Sequence, residues 1–169
     1  MSKRAFTLVE MLVVIMVIGL LLGLVIFSGW KNVTEIEFRS DKETFLSTFT
    51  KIRNNALSSN YFKDTKYDSL EIQYDDDNNT LNTKYIIDGS NNDLQPIYLT
   101  NSYFSGNDSF KIIFLPYSVG CDFVSLDSNL SNNGNNLIQL VSKNGKYAYC
   151  FNLDLTACRL KEIQCLNVK

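Results

Sequence analysis

Histidine is absent from this chain of 169 residues, and its absence excludes several kinds of chemistry at once. Ser-His-Asp and Cys-His catalysis, histidine acid–base chemistry and most zinc sites all need an imidazole ring. No cysteine precedes Cys121, which excludes a lipid anchor on an N-terminal cysteine. The net charge of −2 disfavours non-specific binding of nucleic acid. No Walker or Rossmann glycine pattern occurs either, so we expect a protein that is not an enzyme and holds no cofactor.

Charge is also absent from Met11 to Phe27, and the uncharged run continues to Trp30. As a helix, this run would span about 30 Å, the thickness of the hydrocarbon core of a membrane. Lys3 and Arg4 precede it, so the positive-inside rule predicts a cytoplasmic N-terminus and an extracytoplasmic remainder. The run is long for a secretory signal peptide and no small-residue cleavage site follows it, which favours a membrane anchor.

Glu10 immediately precedes the apolar run, where a carboxylate is costly unless it is paired or hydrated. A plain membrane anchor, which is the alternative here, has no use for this charge. Cleavage between Ala5 and Phe6 would create an α-amino group with a pKa of about 8, which is mostly protonated at neutral pH. Within one chain this amine would lie about one helical turn from Glu10, and between chains the two groups can pair.

The residues before the apolar run carry a family resemblance, and they read Lys3-Arg4-Ala5-Phe6-Thr7-Leu8-Val9-Glu10. With the run behind them, they resemble the cleavage and methylation motif of type IV prepilins and type II secretion pseudopilins. The resemblance implies that prepilin peptidase cleaves after Ala5 and methylates the amine of Phe6. It implies that Glu10 pairs with the N-terminus of a neighbouring subunit. The implied partners are the cytoplasmic membrane, prepilin peptidase, other pilin or pseudopilin subunits and the assembly platform.

The polar segment that follows carries an apolar stripe with helical spacing, formed by Phe38, Phe45, Phe49, Ile52 and Ala56 and widened by Leu46 and Leu57. No proline or glycine interrupts residues 31–60, so we predict one continuous helix from Phe6 to Leu57. Arg53, followed three residues later by Ala56, resembles the GspH/FimT branch of minor pseudopilins. An ordinary amphipathic helix is the alternative interpretation.

After Tyr61 the pattern is typical of β-strands separated by polar turns. The predicted strands are Ser69–Tyr74, Thr83–Asp88, Ile97–Leu99, Phe110–Leu115, Cys121–Leu126, Leu137–Ser142 and Tyr147–Leu153. Residues 75–79 and 143–146 are predicted hairpin turns, and residues 89–93 and 131–136 are predicted loops.

The expected fold is therefore α+β and pilin-like, with a long N-terminal helix packed on an antiparallel β-sheet. The predicted segments are a leader at 1–5, a transmembrane half of the helix at 6–30, an amphipathic half at 31–60 and a β-rich extracytoplasmic domain at 61–169.

The aspartate-rich turn raises the question of a calcium site formed by Asp75, Asp77 and Asn79. An EF-hand loop would need glycine where Thr80 stands and glutamate where Ile86 stands. A solvated turn is therefore favoured over an EF-hand and no metal site is predicted, while a calcium site of another geometry stays open.

Four cysteines, Cys121, Cys150, Cys158 and Cys165, follow the apolar run, on the side of the membrane where disulfides persist. Three connectivities are open. We expect a hairpin that sets Cys150 opposite Cys158 and leaves Cys121 to pair with Cys165. Zinc is disfavoured because no C-x2-C pair occurs.

Two functions remain after these exclusions. The favoured one is a structural, minor subunit of a type IV pilus or of a type II secretion-like pseudopilus. The alternative is a membrane-tethered extracellular binding module, such as a DNA-binding minor pilin of an uptake pilus. The basic patch of such a module would consist of Lys143, Lys146, Arg159, Lys161 and Lys169. Nucleic acid is the less favoured partner, because residues 31–169 hold 14 basic and 17 acidic residues, a net charge of −3.

Overall fold

The computed structural model of the chain describes residues 8–105, 109–125 and 136–165. The chain divides into two compact units, Met1–Ile36 and Glu37–Lys169. One helix, α1 (Leu8–Ser58), supplies residues to both units. Glu10 lies in its first turn, where a carboxylate interacts favourably with the N-terminal end of the helix dipole.

The strands of the second unit are short. Within the described residues they are β1 (Tyr61–Phe62), β2 (Thr65–Lys66), β3 (Ser69–Asp75), β4 (Thr80–Ile87), β5 (Ser90–Asp93), β6 (Ile97–Tyr98), β7 (Ser102–Ser105), β8 (Phe110–Phe114), β9 (Cys121–Ser125), β10 (Leu137–Ser142), β11 (Ala148–Asp154) and β12 (Arg159–Ile163).

These strands form two antiparallel sheets and a small ribbon. One sheet has four strands in the order β12-β11-β10-β7. The other has the order β5-β4-β3-β8-β9, with β6 beside β4, and the ribbon pairs β1 with β2. The α+β class and the antiparallel pairing are confirmed, but the prediction of one sheet is wrong. The chain changes sheets between β6 and β7, because Ser102 pairs with Ser142 of β10 instead of continuing beside β4.

Most of the predicted strands are confirmed to within three residues at each end. The predicted loop at 89–93 is wrong, because its residues from Ser90 pair with β4. The strand β7 was not predicted, since its sequence Ser-Tyr-Phe-Ser lies among turn-forming residues. The predicted turns at 75–79 and 143–146 are confirmed. The predicted loop at 131–136 lies, apart from Asn136, outside the described residues.

The core of the second unit lies between the last part of α1 and both sheets. All five residues of the predicted stripe are at most 4% exposed, which confirms the helical spacing. The ring of Phe45 meets that of Phe104 on β7 edge to face, with centroids 5.0 Å apart. The ring of Phe49 meets that of Phe114 on β8 at 5.5 Å. One helix face therefore binds both sheets, and each buried phenylalanine contributes about 1.5–3 kcal/mol.

All four cysteines form disulfides, but the predicted pairing is wrong. The bonds join Cys121 to Cys158 and Cys150 to Cys165. The hairpin of β11 and β12 pairs Asp154 with the residue at 159, which leaves Cys158 in the turn. Cys150 instead lies opposite the residue at 163, two positions before Cys165. The Cys121–Cys158 bond therefore links the two sheets, and the second bond fastens the end of β12.

A close backbone approach accompanies the bond between the sheets. A Cβ atom added to Gly120 would lie 2.9 Å from the carbonyl oxygen of Leu155, closer than real contacts allow. The backbone N–H of Cys121 donates a hydrogen bond to the same oxygen at 3.0 Å. Only glycine therefore fits at position 120 without displacing the turn between β11 and β12.

Candidate functional site

The N-terminal segment holds the candidate residues for processing and assembly. The leader charges Lys3 and Arg4 and the cleavage positions Ala5 and Phe6 lie outside the described residues. Glu10 is described, is exposed and lies in the first turn of α1. The roles assigned to these five residues stay predictions.

The first turns of α1 expose apolar side chains on every face. Between Leu8 and Leu22, thirteen large apolar side chains are 47% to 82% exposed. Surfaces of this extent on a protein mark a site of association with other apolar surfaces. Within the described residues, no helix is both long enough and apolar enough to span a membrane.

A buried carboxylate interrupts the apolar stripe of the second unit. Asp41 is 6% exposed and occupies the helical position that the seven-residue gap in the stripe leaves open. Its side chain accepts hydrogen bonds from the backbone N–H of Asn101 at 2.9 Å and from the hydroxyl of Ser102 at 2.7 Å. The hydroxyl of Thr100 lies at 3.4 Å. Sequence reasoning missed this residue, although a charge at a stripe position was the available signal.

The partners of Asp41 belong to the segment between the two sheets, residues 99–102, which we name the crossover. The side-chain amide of Asn79 donates hydrogen bonds to two of its carbonyl oxygens, at 2.7 and 2.8 Å. The backbone N–H of Lys143, in the turn after β10, donates to the carbonyl of Asn101 at 2.9 Å. The helix, the turn after β3 and the turn after β10 therefore meet at the crossover.

Two buried tyrosines of the second unit form hydrogen bonds through their hydroxyl groups. The hydroxyl of Tyr74 donates to Asn79 Oδ1 at 2.9 Å, and Asp76 Oδ1 lies 3.2 Å away. The hydroxyl of Tyr67 donates to the carbonyl of Ser59, just after α1. Burial is the main cause that raises the pKa of Tyr67 to about 12 and that of Tyr74 to about 12.

The aspartates after β3 form an exposed turn, residues 75–78, which we name the acidic turn. Asp75 accepts a hydrogen bond from the side-chain amide of Asn78 at 2.7 Å. Asn79 would be the third ligand in the calcium hypothesis. Its side-chain oxygen instead accepts a hydrogen bond from the hydroxyl of Tyr74, and its side-chain nitrogen donates to the crossover. Over the described part of the chain, no three His, Cys, Asp or Glu side chains are grouped to hold a metal ion.

Arg53 and Ala56, the pair that resembles the GspH/FimT branch, both fasten loops to the last turns of α1. The guanidinium of Arg53 donates from Nη2 to the carbonyl of Ala157 at 3.2 Å. The carbonyl of Ala56 accepts a hydrogen bond from the backbone N–H of Tyr117 at 2.8 Å. Ala56 is also buried, which leaves no room for a larger side chain. This spacing therefore has a structural explanation in the unit itself.

The basic residues of the alternative hypothesis do not form one patch. Lys143 and Lys146 lie in the turn after β10, and Arg159 and Lys161 lie on β12 near the opposite end of β11. The positions opposite Lys161 and Arg159 lie four and six residues beyond Ala148 on β11, which separates the two pairs by about 13 to 20 Å at 3.3 Å per residue. Lys169 lies outside the described residues.

Arg159 and Lys161 line a cleft of about 710 Å³, which we name the basic cleft. Asn152, Asp154 and Thr156 also line it. Asp154 is exposed, and its Oδ1 accepts hydrogen bonds from the hydroxyl and the backbone N–H of Thr156. The bond from the hydroxyl is the largest cause that lowers the pKa of Asp154. The side chain of Asp154 therefore stabilises the turn that follows it.

A helix that first exposes apolar side chains and then packs on antiparallel sheets defines an α+β protein with a hydrophobic N-terminal segment. Residues 1–26 match the prokaryotic N-terminal methylation motif. This match supports a type IV pilin-like or pseudopilin subunit, and it implies processing by prepilin peptidase and assembly with other pilins in the membrane. The comparisons with curated proteins and with solved structures find no significant match.

Proposed function

We propose that this chain is a structural subunit of a type IV pilus or of a type II secretion-like pseudopilus, and not an enzyme. The observation that carries the proposal is the methylation motif over residues 1–26. In this proposal the chain is inserted with its N-terminus in the cytoplasm, cleaved after Ala5 and methylated on Phe6. Its second unit then lies outside the cytoplasm, where the two disulfides are stable.

The exposed apolar face of α1 supplies the driving force for assembly. Side chains between Leu8 and Leu22 that leave lipid must be covered by the helices of neighbouring subunits. Glu10 gives this packing a register, because a carboxylate in an apolar layer is stable only beside a positive partner. The amine of Phe6 on the next subunit is that partner.

We assign the chain to the minor subunits on the resemblance of Arg53 and Ala56 to the GspH/FimT branch alone, since the contacts of both residues within the second unit explain their spacing equally well. The alternative function, a tethered module that binds DNA, has weaker support because its basic residues lie in two separate places. A mobility shift of DNA that weakens with salt and disappears on neutralising Arg159 and Lys161 would favour that alternative.

The intact mass and the N-terminal sequence of the protein from its native membrane test the proposal. A chain that begins with methylated Phe6 supports processing and makes assembly the next question. A chain that keeps Met1–Ala5 while prepilin peptidase is present contradicts it.

A further inference from the structure

The basic cleft and the acidic turn lie at opposite ends of the second unit. The acidic turn is fastened through Asn79 to the crossover, and the crossover is bonded to Asp41 of α1. The turn that borders the basic cleft is bonded through Ala157 to Arg53 of α1. Arg53 lies twelve positions after Asp41, so these two anchoring residues are about 18 Å apart along the helix axis. The two features therefore do not meet within one unit.

The two cations of the basic cleft are available to a partner. Arg159 and Lys161 alternate with Leu160 on β12, so both project from the outer face of the sheet, away from the core. Within the described residues, neither side chain forms a hydrogen bond or a salt bridge, whereas Lys42, Lys84 and Lys111 each pair with a carboxylate. Arg159 lies opposite Asp154 in the ladder, and its charge helps to lower the pKa of that carboxyl. Asp154, the carboxylate of the cleft, is engaged by its own turn. An anionic partner can therefore approach these cations without displacing a bond.

The acidic turn has the chemistry that fits this cleft. It carries three consecutive carboxylates, of which Asp76 and Asp77 are exposed. The turn is held in shape from within, since Tyr74 donates toward Asp76 and Asn78 donates to Asp75. Lys143 and Lys146 lie near the crossover at the same end, but no salt bridge joins them to these carboxylates in the described part of the chain.

We propose that the acidic turn of one copy of this chain docks into the basic cleft of the next copy. A contact between two different surfaces of identical chains is head to tail, and it builds an open helical filament when its rotation does not close a ring. The inference rests on the proposed function, since it needs two copies held next to each other in one filament. The contact forms wherever two copies of this chain are consecutive in the filament, and a minor subunit must meet the same condition.

The contact specifies which neighbours meet and in which register. Exposed ion pairs are individually weak, so the apolar face of α1 still drives assembly. Opposed like charges, in contrast, repel each other strongly, which makes charge reversal the sharper test.

The test uses the full chain in its native membrane with the assembly machinery present. A photoreactive analogue of phenylalanine at position 78 is the probe, and cross-linked peptides are mapped by mass spectrometry. We expect a cross-link between two copies that maps to the turn and strand from Asp154 to Lys161. The double variant Arg159→Glu, Lys161→Glu should lower its yield about tenfold, since 1.4 kcal/mol corresponds to a factor of ten.

Adding Asp76→Lys and Asp77→Lys to that variant should restore the yield to within about twofold, because attraction replaces repulsion. The matched control is Lys63→Glu, Lys66→Glu, two exposed cations in the turn and the second strand of the β1–β2 ribbon, which should leave the yield unchanged. A non-reducing peptide map must show both disulfides in every variant, so that a loss reports contact and not misfolding.

Three results overturn the inference. If filaments form but the cross-link maps elsewhere in the chain, or does not respond to charge reversal, the contact is wrong and the proposed function stands. If position 78 cross-links to a different protein, docking between copies is wrong. If the unmodified chain is neither cleaved nor assembled, the proposed function is wrong. The inference rests on that function and is then wrong as well.

Discussion

The carboxylate of Asp41 on α1 accepts a hydrogen bond of 2.7 Å from the hydroxyl of Ser102, at the start of β7, and both side chains are buried. Ser102 is the residue at which the chain has just passed from one sheet to the other. This bond therefore fixes the position of the helix relative to the crossover. Apolar packing alone would leave that position less well defined, because hydrophobic contacts are not directional.

Replacing Asp41 with leucine should lower the free energy of unfolding by about 2–4 kcal/mol, since it leaves the buried hydroxyl of Ser102 and the partly buried N–H of Asn101 without this acceptor. The matched control is Glu43→Leu, an exposed position on the same helix, which should change stability by about 0.5 kcal/mol or less. Chemical denaturation in detergent, followed by circular dichroism, measures both. Rapid hydrogen exchange at the amide of Asn101 should accompany the loss, and unchanged protection there would contradict this account.

Replacing Gly120 with alanine should destabilise the second unit by about 1–3 kcal/mol, the usual cost of forcing an atom into a filled space. The added Cβ meets the carbonyl of Leu155, which belongs to the backbone and cannot turn away. Gly19→Ala is the control, because nothing lies within 4 Å of a Cβ at that helical position. Thermal unfolding of both variants tests this prediction. Equal melting temperatures would show that the turn between β11 and β12 shifts at no cost in stability.

The two disulfides should differ in their effect on stability. Their sequence separations are 37 residues for Cys121–Cys158 and 15 for Cys150–Cys165. Chain entropy gives about 4 kcal/mol for the longer loop and about 3 kcal/mol for the shorter one. Paired serine variants of each bond, compared by denaturation, should show the larger loss for Cys121 and Cys158. A non-reducing peptide map that joins Cys150 to Cys158 instead would refute the pairing itself.

Alkaline pH should unfold the second unit, because ionisation of its buried tyrosines favours the unfolded state. The pKa of Tyr67 and that of Tyr74 rise from 10.0 to about 12 on folding, so the folded state favours the neutral hydroxyls. Their contribution is complete below pH 10 and is lost as the pH rises toward 12. In the double variant Tyr67→Phe, Tyr74→Phe, the alkaline transition should move to higher pH. Tyr98→Phe, at an exposed position, should leave the midpoint where it is.

Replacing Glu10 with alanine should leave membrane insertion intact and lower filament yield by about tenfold or more, because breaking a buried ion pair costs about 3–5 kcal/mol. Sheared filaments and membrane fractions, compared by immunoblot, separate the two effects. Glu43→Ala, at an exposed position later in the helix, controls for the loss of a carboxylate. Normal assembly of the Glu10→Ala chain would eliminate charge pairing as the source of register.

Local features of this protein were readable from the sequence. The buried stripe from Phe38 to Ala56 followed from its spacing, because a helix repeats every 3.6 residues whatever surrounds it. The hairpin turn after Asp75 followed from residues that tolerate tight backbone geometry. The methylation motif was likewise visible in the sequence, since it consists of adjacent residues.

Features that join distant segments were not readable. The pairing of Cys121 with Cys158 depends on the register of β11 and β12, and a shift of that register would favour another partner. The role of Asp41 depends on a crossover that lies about sixty residues further along the chain.

The sequence by itself determined the uncharged N-terminal run, the helical stripe, most of the strands and the motif that supports a pilin-like subunit. Each of these depends on neighbours within a few residues, where spacing and side-chain chemistry are sufficient. The tertiary structure decided the division into two sheets, the disulfide partners, the burial of Asp41 and the separation of the basic residues. Each of these depends on which strands pair across long stretches of chain, and that choice is made by the packing of the whole core.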